Sequence, residues 1–409
     1  MTINSQPQRQ PRFVESSASL LFDLVRGLAA VVVLLEHWRN LFFVDFHELP
    51  HRGPFLFVLY LISGCGHEAV IVFFLLSGFF IGGSVIGAVR KNKWLTRDYL
   101  IRRLVRLWVV LVPALCLCCL WDTIGIRGGH APALYDGTTV PLMIQNVSAT
   151  LNAKNFFGNL LFLQEVKVPT FGSDGALWSL AYEFWYYMLF PLGFFALRGK
   201  TKVGLRLACG AAFIPIALLV GKGILLYFPI WLAGVLLLSV PAPKLTAQRA
   251  NLIRILATCL YIPLFLGLSH VTFPYVSLIF VLARDYILTA ITFAYLWLLS
   301  SARGQIVPGN PSRFCRGIAR FSYSLYALHV PFLVLLAAWF VGDHRWLPTQ
   351  AHLLIALVPL LLAVAYSYGI ASVTEFQTDR LRTWIEMKLG WPHPAAALSS
   401  DPKQDDIKA

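Results

Sequence analysis

Charged residues are scarce in this chain of 409 residues. Asp, Glu, Lys and Arg together make up 13% of it, about half of the roughly 25% that soluble domains carry. The alternating ten-residue segments of a membrane β-barrel are also missing, because the apolar runs are about 20 residues long. Apolar residues reach 57%, and the mean hydropathy is +0.67. This composition excludes a soluble globular domain and predicts an all-α polytopic membrane protein.

Cysteine is too scarce and too irregularly spaced to organise the fold. The chain holds seven, an odd number, and most of them fall inside apolar runs or at their ends. Their spacing matches neither a disulfide framework nor a metal site. We therefore expect free thiols packed among helices, and no bound metal.

Ten apolar stretches are long enough to cross a bilayer as helices in one bundle. The first lacks the small-residue cleavage site of a signal peptide, so it predicts an anchor that stays on the protein. The apolar run at 54–62 is too short to cross alone, and the run at 155–164 is typical of an interfacial or re-entrant segment. The ten predicted spans are 20–38, 69–89, 99–121, 175–196, 204–220, 223–240, 252–269, 276–299, 321–341 and 352–373.

Basic residues are distributed unevenly about these spans. With both termini in the cytoplasm, 25 of the 34 Lys and Arg residues lie on the cytoplasmic side and only seven on the other, as the positive-inside rule requires. We therefore predict a multi-pass membrane protein with a cytoplasmic segment at 1–19, a transmembrane domain at 20–373 and a cytoplasmic tail at 374–409, disordered from about 391. The net charge of +14 then reflects topology and contact with membrane lipids rather than nucleic-acid binding.

The first span, LFDLVRGLAAVVVLLEHWRN, is apolar yet carries Asp23, Arg26, Glu36 and His37. A charged residue near the bilayer centre costs about 2.5–3.5 kcal/mol on insertion scales, which favours a functional role. At 100° per residue, Arg26 and His37 lie about 20° apart around the helix and about 16 Å apart along it. Asp23 lies on the same seam and is expected to neutralise Arg26 as its i,i+3 neighbour. Glu36 points away from the seam and receives no role.

The third span adds two arginines at the cytoplasmic end. In RRLVRLW, Arg103 and Arg106 are spaced i,i+3 and share a helix face. Clustered guanidinium groups bind phosphates in bidentate geometry. A stop signal of the positive-inside kind would explain them as well, but together with Arg26 they favour an anion site.

The fourth and ninth spans carry polar groups at unusual depth. In GALWSLAYEFWYYMLFP, Glu183 lies about 12 Å in from the outer end by helix rise, and a carboxyl this deep is a functional candidate. An aromatic belt with one satisfied acid is the structural alternative, as a satisfied buried histidine is for FSYSLYALHVP in the ninth span. The other candidate residues of these two spans are Trp178, Ser179, Tyr182, Tyr326 and His329.

Two further polar features have structural explanations. Ser77 and Gly78 in the second span are typical of close helix packing. Arg284 and Asp285 in the eighth span are adjacent and of opposite charge, which favours mutual neutralisation.

Five motifs in this order resemble the membrane-bound acyltransferase family 3, whose enzymes O-acylate bacterial surface glycans. They are DLVRGLAAVVVLLEHW, FFLLSGFFI, RRLVRLW, LWSLAYEFWYYMLFP and SYSLYALHVP, and they cover most of the chain from about 20 to 340. The family's Arg-x10-His pattern falls on Arg26 and His37, and its Arg-x-x-Arg pattern falls on Arg103 and Arg106. Its acidic position falls on Glu183.

The resemblance implies an enzyme of the bacterial inner membrane. It would transfer an acyl group, expected to be acetyl, from cytoplasmic acyl-CoA to a hydroxyl of an exported glycan or glycoside. Arg26, Arg103 and Arg106 would hold the phosphates of CoA. His37 would act as general base or as a transient acyl carrier, and Glu183 would orient His37 or bind the sugar. Some family members carry a C-terminal esterase-like domain, which we do not expect here. The residues expected to contact the acceptor are Trp178, Ser179, Tyr182, Tyr326 and His329.

Two other functions fit the buried charges. A polytopic carrier or flippase for a lipid-linked sugar, ion or proton would also bury Arg, Glu and His in its spans. Against it, no pair of broken helices in matching halves indicates an inverted repeat. A catalytically silent scaffold is the third interpretation, which the pairing of an inner cationic site with an outer histidine disfavours.

Overall fold

Regular structure in this protein is helical, which confirms the predicted all-α class. The computed structural model describes residues 17–141, 143–243, 245–271, 278–301 and 317–391. Nearly all of the predicted disordered tail lies outside the described residues. The helices are α1 (Ser17–Phe42), α2 (Pro54–Ile62), α3 (Gly66–Arg90), α4 (Thr96–Gly128), α5 (Pro132–Tyr135), α6 (Val147–Thr150), α7 (Ala153–Leu160), α8 (Trp178–Leu197), α9 (Val203–Leu237), α10 (Ala247–Ser269), α11 (Leu278–Leu299), α12 (Ser322–Phe340), α13 (Gln350–Val373) and α14 (Thr378–Lys388).

Each predicted span overlaps one of these helices, and the protein is a multi-pass membrane protein. In the described ranges, eight segments are long and apolar enough to cross a membrane. The predicted number of ten is larger for two reasons. The helix α1 carries four charged residues and is not among the eight. The helix α9 contains two predicted spans, because its backbone breaks at Gly221 with a φ of 73°, a conformation that glycine adopts readily.

By its contacts, the described chain divides into two compact units. Unit 1 is formed by residues 1–86 and 182–322, and unit 2 by residues 87–181 and 323–409. In unit 1, the apolar core combines residues of α1, α3, α9 and α11. Its fully or nearly fully buried members are Phe22, Val72, Leu75, Leu76, Leu237, Leu296 and Leu299.

Two glycines allow α3 and α9 to pack closely in unit 1. A Cβ atom on Gly78 would lie 1.9 Å from the carbonyl oxygen of Trp231. A Cβ atom on Gly234 would lie 1.8 Å from the carbonyl oxygen of Leu75. The structure thus confirms the packing role predicted for Gly78, since small residues let helix backbones approach in a membrane.

In unit 2, the segment after α4 is fastened by side-chain amides. The Asn159 Nδ2 group donates to the carbonyl of Pro169 over 2.9 Å, and the Asn159 Oδ1 atom accepts from the backbone of Phe171 over 3.2 Å. The indole of Trp108 on α4 donates to the carbonyl of Leu160 over 2.9 Å. The short helix α7, where an interfacial segment is predicted, is therefore anchored to α4 at its end, with Phe157 exposed.

Candidate active site

The helix α1 places Arg26 and His37 on one continuous scaffold. Arg26 forms an ion pair with Asp23 at 2.9 Å, as predicted. Its guanidinium also donates to the carbonyl of Ala319 over 3.4 Å and lies 5.6 Å from the centroid of the Phe80 ring. About a quarter of the Arg26 side chain remains accessible. His37 follows three turns later and is half-buried.

The two arginines of the third predicted span lie in unit 2. Arg103 is half-buried, with its guanidinium 5.6 Å from the centroid of the Tyr99 ring. Arg106 lies one turn further along α4 and is exposed. Arg26 belongs to unit 1, so the grouping of the three arginines into one anion site stays a prediction.

Glu183 is held by hydroxyl groups in unit 1. Its Oε1 atom accepts a hydrogen bond from Ser77 over 2.9 Å and another from the hydroxyl of Tyr187, one turn along α8. The indole of Trp231 donates to the Ser77 oxygen over 3.1 Å. Ser77 therefore does more than the close packing predicted for it, because it fixes the orientation of a carboxylate within the membrane.

Tyr182 belongs to an aromatic group in the same unit. Its ring is stacked on that of Phe74, with centroids 6.0 Å apart, and meets the ring of Tyr227 edge to face at 6.0 Å. Tyr182 is largely buried. Its place directly before Glu183 in α8 brings one predicted acceptor residue next to the predicted acid.

Three other predicted acceptor residues come together in unit 2. The Tyr326 hydroxyl donates to the carbonyl of Ala176 over 2.8 Å, so the Ser179 hydroxyl is the donor in its 2.7 Å bond to Tyr326. His329 is wholly buried, and its Nδ1 atom lies 2.8 Å from the carbonyl of Leu325. This position favours the structural alternative for His329. Trp178 is half-buried at the first position of α8.

A cluster of ionisable residues that the sequence did not predict lies in unit 1. We name it the His67 cluster; it consists of Glu36, His67, Glu68, Tyr227, Arg284 and Asp285. The Asp285 Oδ2 atom lies 2.9 Å from His67 Nε2 and accepts from the Tyr227 hydroxyl over 2.8 Å. Arg284 pairs with Glu68 at 3.1 Å and with Asp285 at 3.4 Å. The expected neutralisation of Asp285 by Arg284 is present, but it is one part of a larger network.

Glu36 belongs to the cluster through its contact with Gly66. A Cβ atom on Gly66 would lie 1.7 Å from Glu36 Oε2, so a larger residue at this position would displace the Glu36 carboxyl group. The available signal in the sequence was the His67-Glu68 pair just before the second predicted span. With Glu36 included, three ionisable residues of the cluster lie near the ends of predicted spans that the sequence assigns to the outer side.

Two buried carboxyl groups, those of Asp122 and Asp174, lie in unit 2. Asp122 accepts hydrogen bonds from the Ser173 hydroxyl at 2.7 Å, from its backbone at 2.8 Å and from the Cys118 thiol at 3.3 Å. Asp174 is wholly buried, and neither carboxyl oxygen has a hydrogen-bond partner in the described part of the chain. Burial, reinforced by the negative charge of Asp122, raises the pKa of Asp174 well above its ordinary value. This shift favours the protonated, neutral form of Asp174.

Among the residues that the structure describes, no three His, Cys, Asp or Glu side chains are arranged to hold a metal ion.

A comparison with protein families identifies the domain type. A family described as an acyltransferase domain matches residues 20–371, nearly the same limits as the predicted transmembrane domain. No curated protein and no solved structure matches the chain.

Proposed function

The chain belongs to the membrane-bound acyltransferase family 3 and is an acyltransferase, and we propose that it carries an acyl group across the membrane. In this proposal, acyl-CoA delivers the group at the cytoplasmic side, and a hydroxyl of an exported or surface glycan accepts it. The observation that supports the proposal most is the continuity of α1 from Ser17 to Phe42. It fixes Arg26 and His37 about 16 Å apart along one rod, a distance comparable to an extended pantetheine arm.

Arg26, Arg103 and Arg106 would bind the phosphates of CoA. The ion pair with Asp23 lowers the net charge at Arg26, but about a quarter of the side chain is accessible, and a guanidinium group suits a phosphate oxygen. Exposed Arg106 and half-buried Arg103 would supply the further positive charge. The thioester would then extend along α1 towards His37.

His37 would act on the acceptor hydroxyl as a general base. An imidazole is suited to this task because its ordinary pKa of about 6.5 lies near neutrality. The hydroxyl proton moves to His37, the oxygen attacks the thioester carbon, and the C–S bond breaks. The thiolate leaves with the proton from His37. In a second route, His37 attacks the thioester itself and carries the acyl group as an acyl-imidazole.

The acceptor would bind beside Glu183 and the polar aromatic residues around it. A fixed carboxylate and tyrosine rings suit a sugar, because carboxylates accept hydrogen bonds from hydroxyls and aromatic faces cover the apolar side of the ring. Tyr182 and Trp178 would provide rings, and Ser179 and Tyr326 would provide hydroxyls. His329 would support this group from its buried position.

Calorimetry with acetyl-CoA and purified protein in lipid tests this proposal. The Arg26→Ala/Arg103→Ala variant should lose binding, because it lacks two of the phosphate ligands. The His37→Ala variant should bind acetyl-CoA normally and lose turnover. Arg380→Ala, which removes an exposed arginine of α14, is the matched control and should behave like the wild type.

Two results would contradict the proposal. Wild-type protein that binds neither acetyl-CoA nor longer or charged acyl-CoAs would favour a carrier. Full acyl transfer by His37→Ala would exclude both roles for His37.

A further inference from the structure

The His67 cluster contains an imidazole held in the manner of a general base. Asp285 is wholly buried, and it is fixed by His67, by the Tyr227 hydroxyl and by Arg284. A carboxylate in this position sets the tautomer of an imidazole and stabilises its protonated form. With the Nε2–H group directed at Asp285, the neutral ring presents Nδ1 as its acceptor nitrogen.

Accessibility separates His67 from the groups that hold it. The side chain of His67 is 35% exposed, whereas Asp285 is 0% exposed and Glu68 is 4% exposed. A histidine that served only to neutralise buried acids would gain nothing from an open edge. The cluster thus combines one partly accessible imidazole ring with largely buried carboxyl groups.

Two contacts join the His67 cluster to the helices that carry the proposed active residues of unit 1. Glu36 and Gly66 are in direct contact, and His37 and His67 are the next residues along their helices. On the other side, the Tyr227 ring contacts the ring of Tyr182, which precedes Glu183. The His67 cluster therefore lies between the helix that carries His37 and the helix that carries Glu183.

The acyl-carrier route needs a second base. Once His37 is acylated, its substituted nitrogen has no lone pair to give, and the acyl group makes the other nitrogen a poor base. We propose that His67, positioned by Asp285, is the base that deprotonates the acceptor hydroxyl in the second of two steps. This inference rests on the proposed function and adds the residue that discharges the acyl-enzyme.

Acyl transfer by this route takes two steps. In the first, His37 attacks the thioester carbon, an N–C bond forms, the C–S bond breaks, and the imidazole N–H proton leaves with the thiolate as CoA. In the second, the proton of the acceptor hydroxyl moves to His67. The hydroxyl oxygen bonds to the acyl carbon, and the N–C bond to His37 breaks. The proton then passes from His67 to His37, which restores both rings.

Radiolabelled acetyl-CoA separates the two steps in single-turnover experiments. Loading is measured as label that stays with the protein without acceptor after rapid denaturation and desalting at neutral pH, because an acyl-imidazole is hydrolysed quickly in acid. Discharge is measured as loss of that label after addition of the polysaccharide fraction extracted from the source cells. His67→Ala should load at the wild-type rate and discharge at least about 100-fold more slowly. Imidazole in the buffer should restore discharge, because the site of the missing ring is partly open.

A conservative variant distinguishes catalysis from structural support. The amide of His67→Gln can still donate to Asp285 but cannot take a proton, so His67→Gln should discharge as slowly as His67→Ala. Asp285→Asn should also slow discharge and leave loading intact. His47→Ala, which removes an 80% exposed histidine, is the control and should load and discharge normally.

Three results would overturn the inference. Normal discharge by His67→Gln would show a structural role, and equal loss of loading and discharge would show general damage. Absence of label on wild-type protein would exclude the two-step route, while turnover with acetyl-CoA would still support the proposed function. Failure of the wild type to bind acetyl-CoA and also longer or charged acyl-CoAs would instead contradict the proposed function.

Discussion

Single residues show why ionisable groups are kept in this membrane domain. Glu183 has two hydroxyl donors, and one of them is itself fixed by the Trp231 indole. Hydrogen bonds to a charged group contribute about 1.5–3 kcal/mol each, which offsets much of the cost of placing a carboxylate in the spanning region. Asp174 is treated differently, because it has no such donors in the described chain.

Asp174 should make the stability of the protein depend on pH. Its pKa is raised in the folded state, first by burial and then by Asp122, so the folded protein holds the proton more tightly than the unfolded chain. The stabilisation is complete below the unfolded pKa of about 3.9 and is lost as pH rises through the folded pKa, at about 1.4 kcal/mol per pH unit between the two. Asp174→Asn should therefore melt progressively higher than the wild type as pH rises.

Thermal unfolding in detergent between pH 5 and pH 8 measures this difference. Asp136→Asn, at an exposed position of the same segment, is the control and should follow the wild type at every pH. A constant difference in Tm between Asp174→Asn and the wild type across this range would contradict the argument.

At the scale of elements, the helix limits were predictable and the contacts between helices were not. Apolar run length is fixed by bilayer thickness, so each predicted span overlaps a helix, and the break at Gly221 was placed correctly. The His67 cluster draws on α1, α3, α9 and α11, whose mutual positions no local spacing encodes. The same holds for Ser77, whose bond to Glu183 joins residues 106 positions apart.

The contact between α3 and α9 should be intolerant of a single methyl group. Gly78→Ala would place a Cβ 1.9 Å from the Trp231 carbonyl oxygen, and neither backbone can yield without moving its helix. Overpacking of this kind costs about 1–3 kcal/mol, so Tm in detergent should fall. Gly87→Ala on the same helix meets nothing within 4 Å and should be neutral or slightly stabilising. Equal Tm values for the two variants would contradict this packing.

At the scale of the whole molecule, charge distribution and the proposed chemistry require the same orientation. The 25 basic residues of one side predict that the Arg26 end of α1 faces the cytoplasm, where acyl-CoA is found. The His67 cluster and His37 then lie towards the outer side, where an exported glycan is found. The opposite orientation would leave Arg26 facing a compartment without acyl-CoA.

Cysteine labelling tests this orientation directly. In a background with the native cysteines replaced by serine or alanine, His51→Cys lies between α1 and α2, and Lys91→Cys lies between α3 and α4; both positions are exposed. A membrane-impermeant maleimide should label His51→Cys in intact spheroplasts, and Lys91→Cys only after permeabilisation. The cysteine-free parent is the control. Labelling of Lys91→Cys in intact spheroplasts would place Arg26 on the outer side, and the donor path along α1 would then fail whatever the activity of His37.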